Sequence, residues 1–162
     1  MNRALTPVFV TASLAAIAGC SPTEDSPTTA AFASVVARNE KTIRNAADEK
    51  STCFFAMTIE SSEPEKQKCM KLADEGRSAL IAVKDDFLRL GEPPTEINGL
   101  VERLIRGGEH LQEESAFDVK GKCDFPTPHT PTNEDCANAV NTVLTGLDEA
   151  IVPELDAWKP YI

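Results

Sequence analysis

Histidine, aromatic residues and concentrated positive charge are all scarce in this chain, and each scarcity removes a class of function. Sixteen lysines and arginines face 26 aspartates and glutamates, for a formal net charge of −10. No run of Lys or Arg interrupts that acidity, so phosphate backbones and anionic headgroups are repelled, and the sequence argues against nucleic acid as a partner. The only two histidines are His110 and His129, and no cysteines stand at the close spacing that zinc sites use. The Cys-x-x-Cys-His route to covalent haem is absent. A Met/His haem would have to draw on Met57 or Met70 with His110, and methionine on an apolar helix stripe reads first as core. There is no G-x-S-x-G, no S-x-x-K and no glycine loop ending in Lys-Ser or Lys-Thr. Carboxylate neighbours such as Asp85 and Asp86 diverge around a helix instead of converging on one substrate bond. The expectation is a non-enzyme without a cofactor.

The positive signals begin at the N-terminus. Arg3 supplies a short positive region, and Leu5 to Ile17 form an uncharged, mostly apolar stretch too short for a permanent membrane span. Ile17-Ala18-Gly19-Cys20 comes directly after it. This quartet, placed after such a stretch, resembles the lipobox of bacterial lipoproteins. The resemblance implies cleavage before Cys20, acylation of that residue as by palmitate, and anchoring to the cell membrane, or to the outer membrane of a host that has one. It covers only residues 1–20 and names no family for the rest of the chain. Two or more acyl chains hold stably where one would not. The organisation read from this is a signal peptide over 1–19, an acylated N-terminus and polar, proline-dotted tether over 20–29, and a folded domain over 30–162. Arg3 is the only charged residue before Cys20, so the mature part carries 15 basic against 26 acidic residues, near −11.

Four cysteines remain after Cys20, an even number that in an exported chain argues for two disulfides. Every long segment has helical period, and no stretch alternates as a half-buried strand does. The clearest segment carries Cys69, Leu72, Gly76, Leu80, Val83, Phe87 and Leu90 along one seam. It opens on the capping-box pattern Ser62-Glu63-Pro64-Glu65 and closes at Gly91 before Pro93 and Pro94. A first segment over about 29–58 places Phe32, Val36, Ile43, Ala46, Cys53 and Met57 on one side, with Lys50 near the seam. A third, over about 95–116, carries Ile97, Val101, Leu104, Gly108 and Leu111. A fourth starts after Pro131, with Thr132 or Asn133 as cap, and carries Cys136, Val140, Val143, Leu147, Ile151, Leu155 and Trp158. Pro153 interrupts it and requires a kink or a new short helix. Four apolar stripes predict an all-α, antiparallel four-helix bundle, with 117–131 as its long connection.

Helix geometry selects the cysteine pairing. Cys53 and Cys69 lie equally far from Ser61 at the first turn, so an antiparallel hairpin brings them level. Cys123 sits at the start of the long connection and Cys136 in the first turn of the fourth helix. The expected bridges are Cys53–Cys69 and Cys123–Cys136.

Candidate binding features are few. Gly76 and Gly108 lie on seams, with Gly99, Gly107 and Gly146 nearby. They read first as close helix approach, or as a bend of the third helix at Gly107-Gly108, and secondly as a groove for an apolar ligand. Glu109, His110, Glu113 and Glu114 read first as a solvated acidic face. His110 and Glu114, at i and i+4, are the metal candidates, although the Glu-x-x-His pattern of di-iron bundles is missing. At the C-terminus, Trp158 either plugs the bundle end or joins Tyr161 in an exposed WKPYI tail that docks a partner. The resulting expectation is a lipid-anchored, non-catalytic interaction module, acting on another envelope or extracellular protein, with phage-exclusion lipoproteins as one form. A carrier of a small apolar or metal ligand is the alternative.

Overall fold

A computed structural model describes residues 26–58, 61–113, 117–123 and 134–162. The signal segment and Cys20 lie outside the described residues, as do Glu114, His129 and the proposed caps Thr132 and Asn133. The described chain is all-α. In order it forms α1 (Thr29–Asp48), α2 (Lys50–Thr58), α3 (Glu63–Leu90), α4 (Asn98–Glu113), α5 (Val119–Cys123), α6 (Glu134–Gly146), a π-helical turn (Leu147–Ile151) and α7 (Val152–Ala157).

Helix α1 begins at Thr29, inside the range expected for the tether. Thr28 adopts an extended backbone and its side chain accepts a hydrogen bond from Ala31 N, satisfying one of the free first-turn donors. The expected single helix over 29–58 breaks at Glu49, whose φ of −86° and ψ of 3° leave helical geometry. The two halves still share a buried side: Phe32, Val36, Ile43 and Ala46 before the break, Cys53 and Met57 after it.

Helix α3 is the central stem, packed on α1 and on α4. Its start is set by Glu65, whose Oε2 accepts from Ser62 N at 2.9 Å and from Ser62 Oγ at 2.7 Å. Those hydrogen bonds, the hydroxyl's first, hold the Glu65 carboxyl below its ordinary pKa. It ends at Gly91, where φ is +88°, a conformation that costs a residue with a Cβ. Helix α4 buries Val101, Leu104, Gly108 and Leu111. Near its end, the Leu111 carbonyl accepts from Arg77 Nε at 2.8 Å, which ties it to α3.

The long connection is not the plain loop expected: α5 forms within it. Asp118 Oδ1 accepts from Gly121 N at 2.9 Å, so a side-chain cap starts a helix too short to show a period in sequence.

The last segment keeps its whole seam buried, from Cys136 through Val143, Leu147 and Ile151 to Leu155 and Trp158. The steps from 143 to 147, 151 and 155 are each four residues, and each overshoots an α-helical turn of 3.6 residues by about 40°. The π turn absorbs that drift, its Val152 N–H reaching back to the Leu147 carbonyl. Pro153 then stands in the first turn of α7, where its missing N–H costs little. One hydrophobic core joins these elements. At one end of it Phe87 stacks at a tilt between Phe32 and Trp158, with ring centroids 5.3 and 5.7 Å away.

Both disulfides join the expected partners. Cys53–Cys69 links α2 to α3 across a Cα–Cα distance of 5.4 Å, and Cys123–Cys136 links α5 to α6 across 4.8 Å.

Candidate functional site

The residues singled out from sequence are not brought into one site. Trp158 is completely buried, so it plugs the bundle end and is not available as a docking side chain. Its indole Nε1 has no hydrogen-bond partner among the described residues. Tyr161 lies edge-on against it, 5.9 Å between centroids, and stays 38% exposed. His110 is exposed on α4 and meets the Phe117 ring edge-on at 4.9 Å. Its expected companion Glu114 is outside the described residues. Among those residues, no three His, Cys, Asp or Glu side chains gather as a metal site would need. Met57 and Met70 are both buried, and Met70 Sδ lies 3.5 Å from Cys136 Sγ, packed against the second disulfide.

The seam glycines are points of contact. A Cβ on Gly76 would fall 2.6 Å from Ala46 Cβ and 2.6 Å from Leu147 Cδ1, so α1, α3 and the π turn meet there with no room for a methyl group. A Cβ on Gly108 would fall 2.7 Å from Lys84 Cβ. No groove opens at either position. A groove does exist beside Gly108, at the neighbouring Gly107, between α4, the end of α6 and the π turn. It measures about 270 Å³ and is lined chiefly by apolar groups, including Gly107, Leu111, Phe117, Gly146 and Ile151, with His110 and Thr142 beside them.

The most unusual surface is on α2, a helix of nine residues. At about 100° per residue, Cys53, Ala56 and Met57 share one side, and they are buried. Phe54 and Phe55 therefore face away from the core, 52% and 60% exposed. Their rings meet edge to face with centroids 5.9 Å apart, so they act as one aromatic knob. Exposed apolar side chains scattered singly are ordinary, whereas two adjacent large rings form a patch. Hollows of about 260 and 270 Å³ flank Phe55, one reaching Lys50 and Thr145, the other Ser61, Glu65 and Lys68.

The backbone beneath the knob is held firmly. Cys53, immediately before Phe54, is bonded to α3. Lys50, at the start of α2, reaches the π turn, with Nζ 2.5 Å from Asp148 and 3.3 Å from Glu149. The Asp148 hydrogen bond first, then that of Glu149, raises the Lys50 pKa above its ordinary value. Lys68 Nζ is paired with Glu49 at 3.2 Å. Among the described residues, the two lysines that line the hollows are both ion-paired, and counting their partners Asp148, Glu149 and Glu49 together with Glu65 sets four carboxylates against two ammonium groups.

Phe54 and Phe55 are absent from the sequence-derived candidates because those came from the inward seam. The signal was there: with Cys53 and Met57 fixed inward, the helical phase turns the two intervening aromatics outward. No family model matches this chain, and no curated protein or solved structure matches it.

Proposed function

We propose that this chain is a lipid-anchored extracytoplasmic module that works by binding another protein and performs no catalysis. Cys20 is its acylated attachment point, the residues after it its tether, and the domain a bundle of four antiparallel stems, two of them broken. The observation that carries the reading is the Phe54–Phe55 knob, an outward aromatic pair on a helix braced by a disulfide. A rigid anchor of this kind loses little conformational freedom on binding, which is what makes aromatic anchors effective at interfaces. Two bridges in one small domain support an oxidising compartment. Among the described residues, no helix is long and apolar enough to cross a membrane. The partner is an envelope or extracellular protein, and blocking of an incoming phage's injection machinery belongs to this class of action.

The apolar groove beside Gly107 and Gly146 favours a second reading, a carrier of a small apolar ligand. It is larger than the roughly 150 Å³ dry cavity that accepts benzene in an engineered protein, but it is open to solvent on one side.

The test is photo-cross-linking in the intact envelope from Phe55→p-benzoylphenylalanine. A discrete protein adduct that is absent when the photoreactive group stands at exposed Leu88 is expected. Equal labelling from both positions, or none from position 55, overturns the reading. In parallel, Cys20→Ser is expected to abolish acyl labelling and release the protein from the membrane fraction.

A further inference from the structure

We infer that the Phe54–Phe55 face docks a polypeptide segment whose apolar side chains are ringed by lysine or arginine. This rests on the interaction-module reading and adds the chemistry of the partner. Charge complementarity around an apolar centre carries it. The two rings are the apolar part, and the hollows on either side of Phe55 are sized for side chains rather than for a whole element.

The rim decides the sign. Lys50 is shared between Asp148 and Glu149, and Lys68 is matched by Glu49. Glu65 adds a further exposed carboxylate beside the second hollow. A partner approaching this rim meets carboxylates in excess, and burying them against another acidic or wholly apolar surface leaves charge unpaired, which costs several-fold in affinity or more. Guanidinium or ammonium groups around the partner's apolar residues remove that cost.

The same charge disfavours the other two occupants of an exposed aromatic pair. An anionic lipid surface is repelled by the rim and by the net charge of the whole chain. A second copy of the chain would bring an identical acidic rim against this one.

The experiment uses the full chain with both disulfides intact. The probes are a synthetic amphipathic peptide of leucine and lysine, its leucine–glutamate counterpart, and vesicles of phosphatidylglycerol with phosphatidylethanolamine. The variants are Phe54→Ser/Phe55→Ser, which alters only exposed side chains, and Asp148→Asn/Glu149→Gln, with folding checked by circular dichroism and Trp158 emission. The leucine–lysine peptide is expected to bind, and the leucine–glutamate peptide to bind at least about tenfold more weakly. The phenylalanine variant should lose about tenfold or more in affinity for the leucine–lysine peptide. The carboxylate variant should lose a smaller factor, and added salt should weaken wild-type binding.

Five binding results overturn the inference: no binding of the leucine–lysine peptide, equal binding of the leucine–glutamate peptide, binding that the phenylalanine variant retains, vesicle binding that depends on the phenylalanines, or a dimer in sedimentation that the phenylalanine variant abolishes. Cross-linking from position 55 separates the two levels. If a protein adduct forms there but the cross-linked peptide lacks basic residues, the module reading stands and the partner chemistry falls.

Discussion

Gly76→Ala and Gly146→Ala are the same chemical change, and the packing around them predicts opposite signs. In both positions the added methyl gains helix propensity of up to about 1 kcal/mol. At Gly76 the methyl meets Ala46 Cβ, a stub fixed to the α1 backbone that has no rotamer to move into, as well as a Leu147 methyl. Overpacking of this kind costs about 1–3 kcal/mol, and here relief requires α1 and α3 to separate. The net expectation is destabilisation by roughly 1–2 kcal/mol. At Gly146 the nearest atom is Leu111 Cδ2 at 3.9 Å, an ordinary contact, and the backbone is helical at φ −61° and ψ −40°. There the propensity gain stands, and stabilisation of about 0.5–1 kcal/mol is expected. Urea unfolding with the disulfides intact measures both, followed by emission of the single tryptophan, which is buried at position 158. A neutral or stabilising Gly76→Ala would mean that Gly76 does not mark a close helix crossing, and a destabilising Gly146→Ala would mean that the space beside Gly146 is not open.

Further outcomes rest on the same structure. Replacing Cys53 and Cys69 together by alanine removes a bridge closing a sequence separation of 16 and should lower stability by about 3 kcal/mol in urea unfolding. Trp158→Ala should cost about 3–5 kcal/mol because the side chain is wholly buried. Tyr161→Ala, on a half-exposed ring, should cost much less, and circular dichroism reads both variants without needing the fluorophore. Acid should weaken the fold through Glu65, Glu96 and Asp156. Their folded pKa values are depressed, first by Ser62, Thr29 and Lys159 respectively, from ordinary values of 4.5, 4.5 and 3.8. Their contribution is present above those values and is lost as pH falls through the folded ones. The urea midpoint should therefore decline below about pH 4.5, and Glu65→Gln should flatten that decline. Lys50 behaves in the opposite sense: its raised pKa contributes fully below 10.5 and is lost as pH climbs through the folded value.

Much of this fold was legible because helical burial repeats at a fixed angle. The seam from Cys69 to Phe87, the cap at Ser62 and Glu65 and the stop at Gly91 depend on neighbours within a turn or two, so sequence alone carries them. The cysteine pairing was legible for a related reason: equal distances from a turn convert directly into equal heights in a hairpin. The break at Glu49 and helix α5 were not. A break that keeps the same side buried leaves the periodicity intact, and five residues are too few to establish one. The π turn was half visible, as three successive steps of four residues, but Pro153 masks it by offering its own reason for a kink. The fate of the C-terminal aromatics depended on tertiary packing. Trp158 and Tyr161 stand three residues apart, yet one is sealed against Phe87 and the other is partly in solvent. The knob at Phe54 and Phe55 lies on the outward phase of its helix, which a search for core positions leaves aside.

The proposed membrane-attached, disulfide-stapled module, carrying no small ligand of its own, would have a distinctive mass. Native mass spectrometry of the protein extracted from membranes, unreduced, reads it in one measurement. The predicted mass begins at Cys20, includes covalent acyl chains, is lighter by two hydrogens for each of the two bridges, and shows no further adduct. A chain still carrying residues 1–19, a Cys20 without acyl chains, or a stoichiometric apolar ligand that survives delipidation would contradict it. The last of these would move the carrier reading ahead.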